Sequence, residues 1–328
     1  MFKKLISGLK NFIADDPEDM EPEPLVELAL DGSADESRRR DAARCLGNLS
    51  DTISEMAASE EVKTAVSERI FARLGGVLGS DAPAWLVEGA IKGMNEIANI
   101  QRYDMKPETL EAAVDPLIAC LGPNHGDDLR SAAASALGSI DQQVSEDAAE
   151  RAVQAIMNLV RREQASLRAE LIFSLGTFDS ERTASLWSEV AEYLDDPHPE
   201  VRGNSAAALW MIGNESPDPA VVGRLVDMLH SESDEDLRDN VVNALGHLGR
   251  GVPSVVPALI EALGRDDTRH MSIFALSELG EEADAAVPAL ARLLDDEDHE
   301  ESAVMALQGI GTDAAREALR AAGHPEEM

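Results

Sequence analysis

Apolar or small residues recur along this chain at offsets 0, 4, 7, 8 and 11, and glycine commonly follows at offset 12. The clearest copy is Val201, Ser205, Ala208, Leu209, Ile212 and Gly213. Others run from Leu237 through Ala244, Leu245 and Leu248 to Gly249, and from Thr268 through Ala275, Leu276 and Leu279 to Gly280. These offsets put every repeated residue on one face of an α-helix. Small Ala and Ser at offsets 4 and 7 let neighbouring helices approach. Glycine at offset 12 suits a helix C-terminus, because it takes positive φ without steric cost. Arginine stands at offset 1 in Arg39, Arg130, Arg168, Arg202, Arg238 and Arg269, and weaker copies open at Leu86-Val87 and His299-Glu300. Spacing between copies falls from 48 residues at the N-terminal end to 31 at the C-terminal end.

A second helical stretch precedes each such helix, as in Ala152–Val160, Ala220–Leu229 and Val287–Leu294. Short loops rich in Asp, Pro and Ser join the two, for example Asp195-Asp196-Pro197-His198-Pro199. Val252-Pro253 and Val287-Pro288 fit a helix's first turn, where proline's missing N–H is not needed. Each unit is then two antiparallel helices, A and B. Neither buries its apolar face alone, so the pairs must stack. The predicted fold is all-α: an α-α superhelix of about eight helical hairpins over residues 25–322. Asp313–Ala322 reads as a last A helix, and 323–328 as a polar tail.

At these residues the chain resembles the HEAT-repeat superfamily, especially the short HEAT-like repeats named after phycobilisome lyases. The resemblance covers about residues 25–322 and is specific for an armadillo-like solenoid. It implies that the offset-1 arginines pair with acids of a preceding loop or neighbouring repeat, with Asp128, Asp196 and Asp236 as expected partners. Arginine's planar fork matches a carboxylate. It also implies that B helices line a concave face, with offsets 2, 3, 6, 9 and 10 pointing outward. Those offsets hold Phe173, Asn204, Trp210, Met211, Asn240, Asn243, His247, His270, Met271, Phe274 and Glu278. Exposed aromatics and Met with little charge mark recognition surfaces. Asparagines can hold the backbone of an extended peptide, as similar residues do in armadillo repeats. The alternative is that Phe173, Trp210 and Phe274 are tucked against neighbouring helices and bind nothing.

Charge narrows the partners. The chain has 63 Asp+Glu against 28 Lys+Arg, a formal net charge of -35. Nucleic acid needs Lys and Arg against its phosphates, so DNA and RNA are excluded as expected partners. Only six of the basic residues are lysines, and three of those lie in the first ten residues. Acid excess with lysine scarcity resembles the proteins of salt-in halophilic archaea. There is no apolar run long enough to span a bilayer, and the N-terminus is a poor signal peptide, so a cytoplasmic location is expected. Cys45 and Cys120 form no CxxC and read as core residues.

Catalytic signatures are missing. The chain has no phosphate loop, HExxH, GxSxG or Ca²⁺-loop pattern. Deoxyhypusine hydroxylase, a HEAT enzyme, holds iron with placed His-Glu pairs. Here Met271 follows His270 where Glu is required, and His299-Glu300 sits two residues too far from Ala306-Leu307. No cofactor and no metal is expected, and the acidic run 295–301 reads as a solvated loop. The sequence therefore suggests a non-catalytic adaptor or scaffold for protein–protein interaction, within signalling or assembly. The alternatives are an enzyme subunit of the lyase or hydroxylase kind, and a peripheral membrane adaptor.

Residues 1–13 carry the membrane alternative. Phe2, Leu5, Ile6, Leu9, Phe12 and Ile13 share one helical face, with Lys3, Lys4 and Lys10 elsewhere, ahead of an acidic Pro-rich linker, 14–24. Such a helix caps the solenoid, docks a partner or lies on a membrane surface. The charge makes a prediction. At about 1 M salt the Debye length is about 3 Å, so self-repulsion is screened. The thermal midpoint should rise steadily as KCl increases from low to molar concentration. A flat or falling midpoint in a calorimetric salt series would contradict this.

Overall fold

A computed structural model describes residues 20–56, 58–78, 80–101, 105–213 and 217–324. The predicted helix 1–13, with Phe2, Leu5, Ile6, Leu9 and Phe12, lies outside the described residues, as do 14–19 of the linker and 325–328 of the tail. The described residues are helical and contain no strand. They form two compact units, one up to Arg162 and one from Glu163.

The first unit contains α1 (Pro22–Leu30), α2 (Glu36–Cys45), α3 (Leu49–Ser54), α4 (Glu60–Leu78), α5 (Ala84–Gln101), α6 (Pro107–Cys120), α7 (Asp127–Ile140) and α8 (Glu146–Val160). Helix α1 starts inside the expected linker, because Pro22 occupies its first turn, where proline's fixed φ favours the helix. Long apolar side chains fill this unit, among them Phe71, Leu74, Ile91 and Met94, all about 1% exposed or less.

The second unit opens with α9 (Ala165–Gly176). It continues with α10 (Ser180–Thr183), α11 (Trp187–Glu192), α12 (Pro199–Ile212), α13 (Pro219–Ser231), α14 (Glu235–Leu248), α15 (Val255–Ala262), α16 (Arg269–Leu279), α17 (Val287–Ala291), α18 (Glu300–Ile310) and α19 (Asp313–Ala321). The expected A–B alternation appears in order along the chain. Pro288 stands in the first turn of α17 as expected. Pro253 instead precedes α15, whose first turn holds Pro257.

The B helices here are α9, α12, α14, α16 and α18. Their predicted core offsets are buried almost without exception, from Leu167, Leu171, Ser174, Leu175 and Phe178 onward. Offsets 2, 6 and 9 depart from the expectation that they all point outward. Ala169, Gly176, Gly203, Ala207 and Gly246 are buried where successive B helices pack closely. A Cβ on Gly246 would lie 2.8 Å from the Ala275 Cα, and one on Gly176 3.1 Å from the Ala208 Cα. At offset 12, Gly213, Gly280 and Gly311 take positive φ, near 60–70°. Gly249 does not; there a Cβ would meet the Leu245 carbonyl and Val255. Successive B helices touch along their length, whereas successive A helices touch little.

The offset-1 arginines stitch these layers together. Arg168 donates to Asp196 at 2.8 Å, Arg202 to Glu232 at 2.5 Å, and Arg238 to Asp267 at 2.7 Å through Nε. Each carboxylate belongs to the following repeat. Each arginine also donates to a backbone carbonyl near its own helix start, of Glu163, Asp196 and Glu232 respectively. Arg269 donates to the Leu263 carbonyl and pairs with Asp266. Of the expected acids, Asp196 holds its place. Asp128 and Asp236 do not serve Arg130 and Arg238. Each stands two residues before its arginine, and side chains at i and i+2 point to different sides of a helix. Arg130 pairs instead with Asp127, three residues away. In the first repeat the carboxylate is replaced by an aromatic ring, with Arg39 5.4 Å from the Trp85 centroid.

Arg238 is 4% exposed. Around Asp267, desolvation pushes the carboxyl up, but hydrogen bonds and charge from Arg238 and Arg265 win and hold it below the usual range. That contribution is present above the unfolded Asp pKa and is lost as pH falls through the depressed value. Arg238→Ala should cost about 3 kcal/mol in a denaturant titration at neutral pH, because it leaves a partly buried carboxylate and a carbonyl unpaired. The cost should shrink in acid.

Candidate interaction face

The outward offsets of the second unit's B helices converge on one surface. Phe173 and Phe274, both at offset 6, are 41% and 38% exposed. Met305 holds the same offset in the last repeat and is 53% exposed. Sequence reasoning passed over it, although the repeat register starting at His299 places it there. Offsets 4, 7, 8 and 11 fill the core and leave these three side chains open, whereas on α12 the small Ala207 at offset 6 is buried.

Trp210 and Met211 are half-buried at offsets 9 and 10 of α12. The indole of Trp210 stacks on His247 of α14, with centroids 5.0 Å apart and planes at 17°. Trp210 is thus partly tucked against a neighbouring helix, while keeping an open edge. His270 is exposed and meets Phe274 edge-on, 4.9 Å away on the same helix. Met271 is half-buried beside it, and Glu278 is exposed further along the helix.

Asn204, Asn240 and Asn243 are half-buried at offsets 3, 3 and 6 of α12 and α14. Among the described residues none of the three amides has a hydrogen-bond partner. Each keeps both donor and acceptor capacity, which is what a peptide backbone needs. The structure therefore brings together all nine predicted groove residues on consecutive B helices of one unit.

Asp239, next to Asn240, was not anticipated. Its Oδ1 is shielded from solvent and has no hydrogen-bond partner among the described residues. Burial pushes its carboxyl above the usual range, the negative Asp267 and Asp236 add to this, and Arg238 and His270 oppose it. No sequence signal marks it, since Asp236, three residues before it, looks like an ordinary helix-start acid.

No cluster of three or more His, Cys, Asp or Glu able to hold a metal occurs among the described residues. His299 faces Asp296 at 3.3 Å, and Glu300 faces His324 at 3.4 Å, so the two belong to different contacts. Among the described residues no helix is long and apolar enough to cross a membrane.

Asp239 yields a prediction. Its raised folded pKa means the ionised form opposes folding at neutral pH. Asp239→Asn should raise the thermal midpoint there, and the gain should vanish as pH drops below about 3.9, the ordinary Asp value, where the wild-type group is already neutral. A midpoint lowered at neutral pH would contradict the assigned environment.

Residues 153–246, 188–276 and 222–308 match the family of HEAT repeats in three overlapping stretches. The matched stretches take in the segment carrying this face. No curated protein matches the sequence. Similar solved structures include Kap121p bound to Ste12p, with TM-score 0.55, 12% identity and coverage of 92% of this chain and 36% of that one. Kap121p bound to Pho4p gives TM-score 0.54, 13% identity and coverages of 92% and 37%. The karyopherin Kap121p bound to the extreme C-terminus of the protein phosphatase Cdc14p gives 0.56, 13%, 92% and 34%. The chain spans about a third of the length of these solved chains, and the likeness is one of fold.

Proposed function

We propose that this HEAT-repeat chain is a non-catalytic adaptor that holds a polypeptide segment across the B helices of its second unit. One observation carries the reading. Three unpartnered asparagine amides sit on adjoining helices, flanked by exposed Phe173, Phe274 and Met305 and by the half-buried Trp210. The apolar side chains would anchor, and the amides would fix the backbone, at about 1 kcal/mol per hydrogen bond. The dense contact among B helices, against sparse contact among A helices, supports a curve with this face on its inner side. The solved Kap121p chains were captured with other proteins bound, which supports protein binding by a solenoid of this kind.

The chain's acidic charge fits a cytoplasmic adaptor, and the lysine scarcity favours a high-salt cell. An enzyme role gains no support from the described residues, since the candidate His-Glu pair is divided between separate contacts. The membrane alternative rests on 1–13 alone.

Trp210→Ala combined with Phe274→Ala tests the face. Affinity capture from the native cell at its own salt should recover a defined partner with the wild-type chain. The double variant, folded by circular dichroism, should lose at least about tenfold of it, equivalent to about 1.4 kcal/mol. Undiminished recovery defeats the assignment.

A further inference from the structure

We infer that the segment held on this face is extended and cationic, with basic side chains along one edge and apolar side chains along the other. The inference rests on the B face being the binding surface. The face is divided into two lanes. Offsets 2 and 3, near the helix starts, carry Glu170, Asp239, Glu301 and the amides of Asn204 and Asn240, with His270 and Met271 in the same positions on α16. Offsets 6 to 10, about a turn later, carry the aromatics, Met211 and Met305, together with Asn243, His247 and the exposed Glu278. An extended chain crossing the helices sends alternate side chains to opposite sides, one set into each lane.

Charge complementarity selects the sign. On α9, α12, α14, α16 and α18 the only Lys or Arg residues are Arg168, Arg202, Arg238 and Arg269. All four are engaged by carboxylates or carbonyls in the ladder. No lysine occurs after Lys106. The face therefore offers an incoming segment carboxylates and no unengaged Lys or Arg, with His247 and His270 its only titratable bases. Asp239 sharpens the case: its half-buried carboxyl lies near two like-charged neighbours, Asp267 and Asp236. An ammonium or guanidinium placed there relieves that repulsion, whereas an acidic segment adds to it.

Length follows from packing. Neighbouring helix axes lie about 8–10 Å apart, so crossing from α9 to α16 takes about 30 Å, or about nine residues at about 3.3 Å each.

Three fluorescein-labelled twelve-residue peptides, alternating Lys–Leu, Ser–Leu and Glu–Leu, test this by anisotropy with the full chain at the lowest salt that keeps it folded. The Lys–Leu probe should bind at least about tenfold tighter than Ser–Leu. Asp239→Asn with Glu301→Gln should remove most of that advantage. Asp227→Asn with Glu261→Gln, acids of the A helices α13 and α15, should leave it intact. Equal losses in both double variants would mean attraction to net charge alone and overturn the proposal. Ser–Leu binding as tightly as Lys–Leu, with sensitivity to Trp210→Ala, would overturn the charge while the face stands. Absence of binding by every probe would overturn both.

Discussion

The second unit depends on how closely its B helices approach one another. Side chains larger than glycine have no room where α14 meets α16, since a Cβ on Gly246 would fall within 3 Å of Ala275. Where backbones stand this close, part of the outer side of the helices is left uncovered. On α9, α16 and α18 offset 6 lies there, and Phe173, Phe274 and Met305 remain exposed although they are large and apolar, whereas on α12 the same offset holds the small, buried Ala207. Their exposure is a consequence of the packing geometry, and its use in binding follows from it. Large exposed apolar side chains carry a solubility cost that a partner removes.

The arginine ladder is the second consequence of that approach. When B helices stand side by side, an offset-1 arginine reaches the loop of the next repeat. Asp196 shows the economy of the arrangement: its carboxylate receives Arg168 while its carbonyl receives Arg202. One loop residue thereby ties two repeats and satisfies a carbonyl that the loop would otherwise leave open. The ladder also removes cations from the outer surface. In a chain with formal net charge -35, this leaves the B face with a one-sided electrostatic character set by structural needs.

The repeat register was legible because burial repeats. The spacing of Leu237, Val241, Ala244, Leu245 and Leu248 alone marks them as one core stripe, and all are buried. The position of Trp210 on the outer side was legible for the same reason, by subtraction. What the pattern could not show was the contact between successive B helices. That contact buries Gly203 and Gly246 at offsets that a lone helix would expose, and stacks Trp210 on His247 across two helices. The ladder partners failed in the same way. Asp236 is close to Arg238 in sequence, but Asp267, 29 residues on, is close in space. Long-range acids of this kind carry no local sequence mark. Asp239 escaped notice because its unusual state comes first from burial, which a lone helix does not show, and then from acids on a neighbouring repeat as well as its own.

The stack between Trp210 and His247 bears on which side chain anchors a partner. An exposed aromatic loses rotamer freedom when it is covered, which offsets part of the area it buries. Trp210 has already lost much of that freedom, because His247 holds one ring face at 5.0 Å in the unbound chain. Phe274 is steadied less, by an edge contact from His270 on its own helix. Covering the remaining indole edge therefore costs less ordering than covering Phe173 or Met305, whose greater exposure offers more area. Trp210 should thus dominate affinity out of proportion to its accessible surface, and the three offset-6 side chains should set which apolar residues a segment presents.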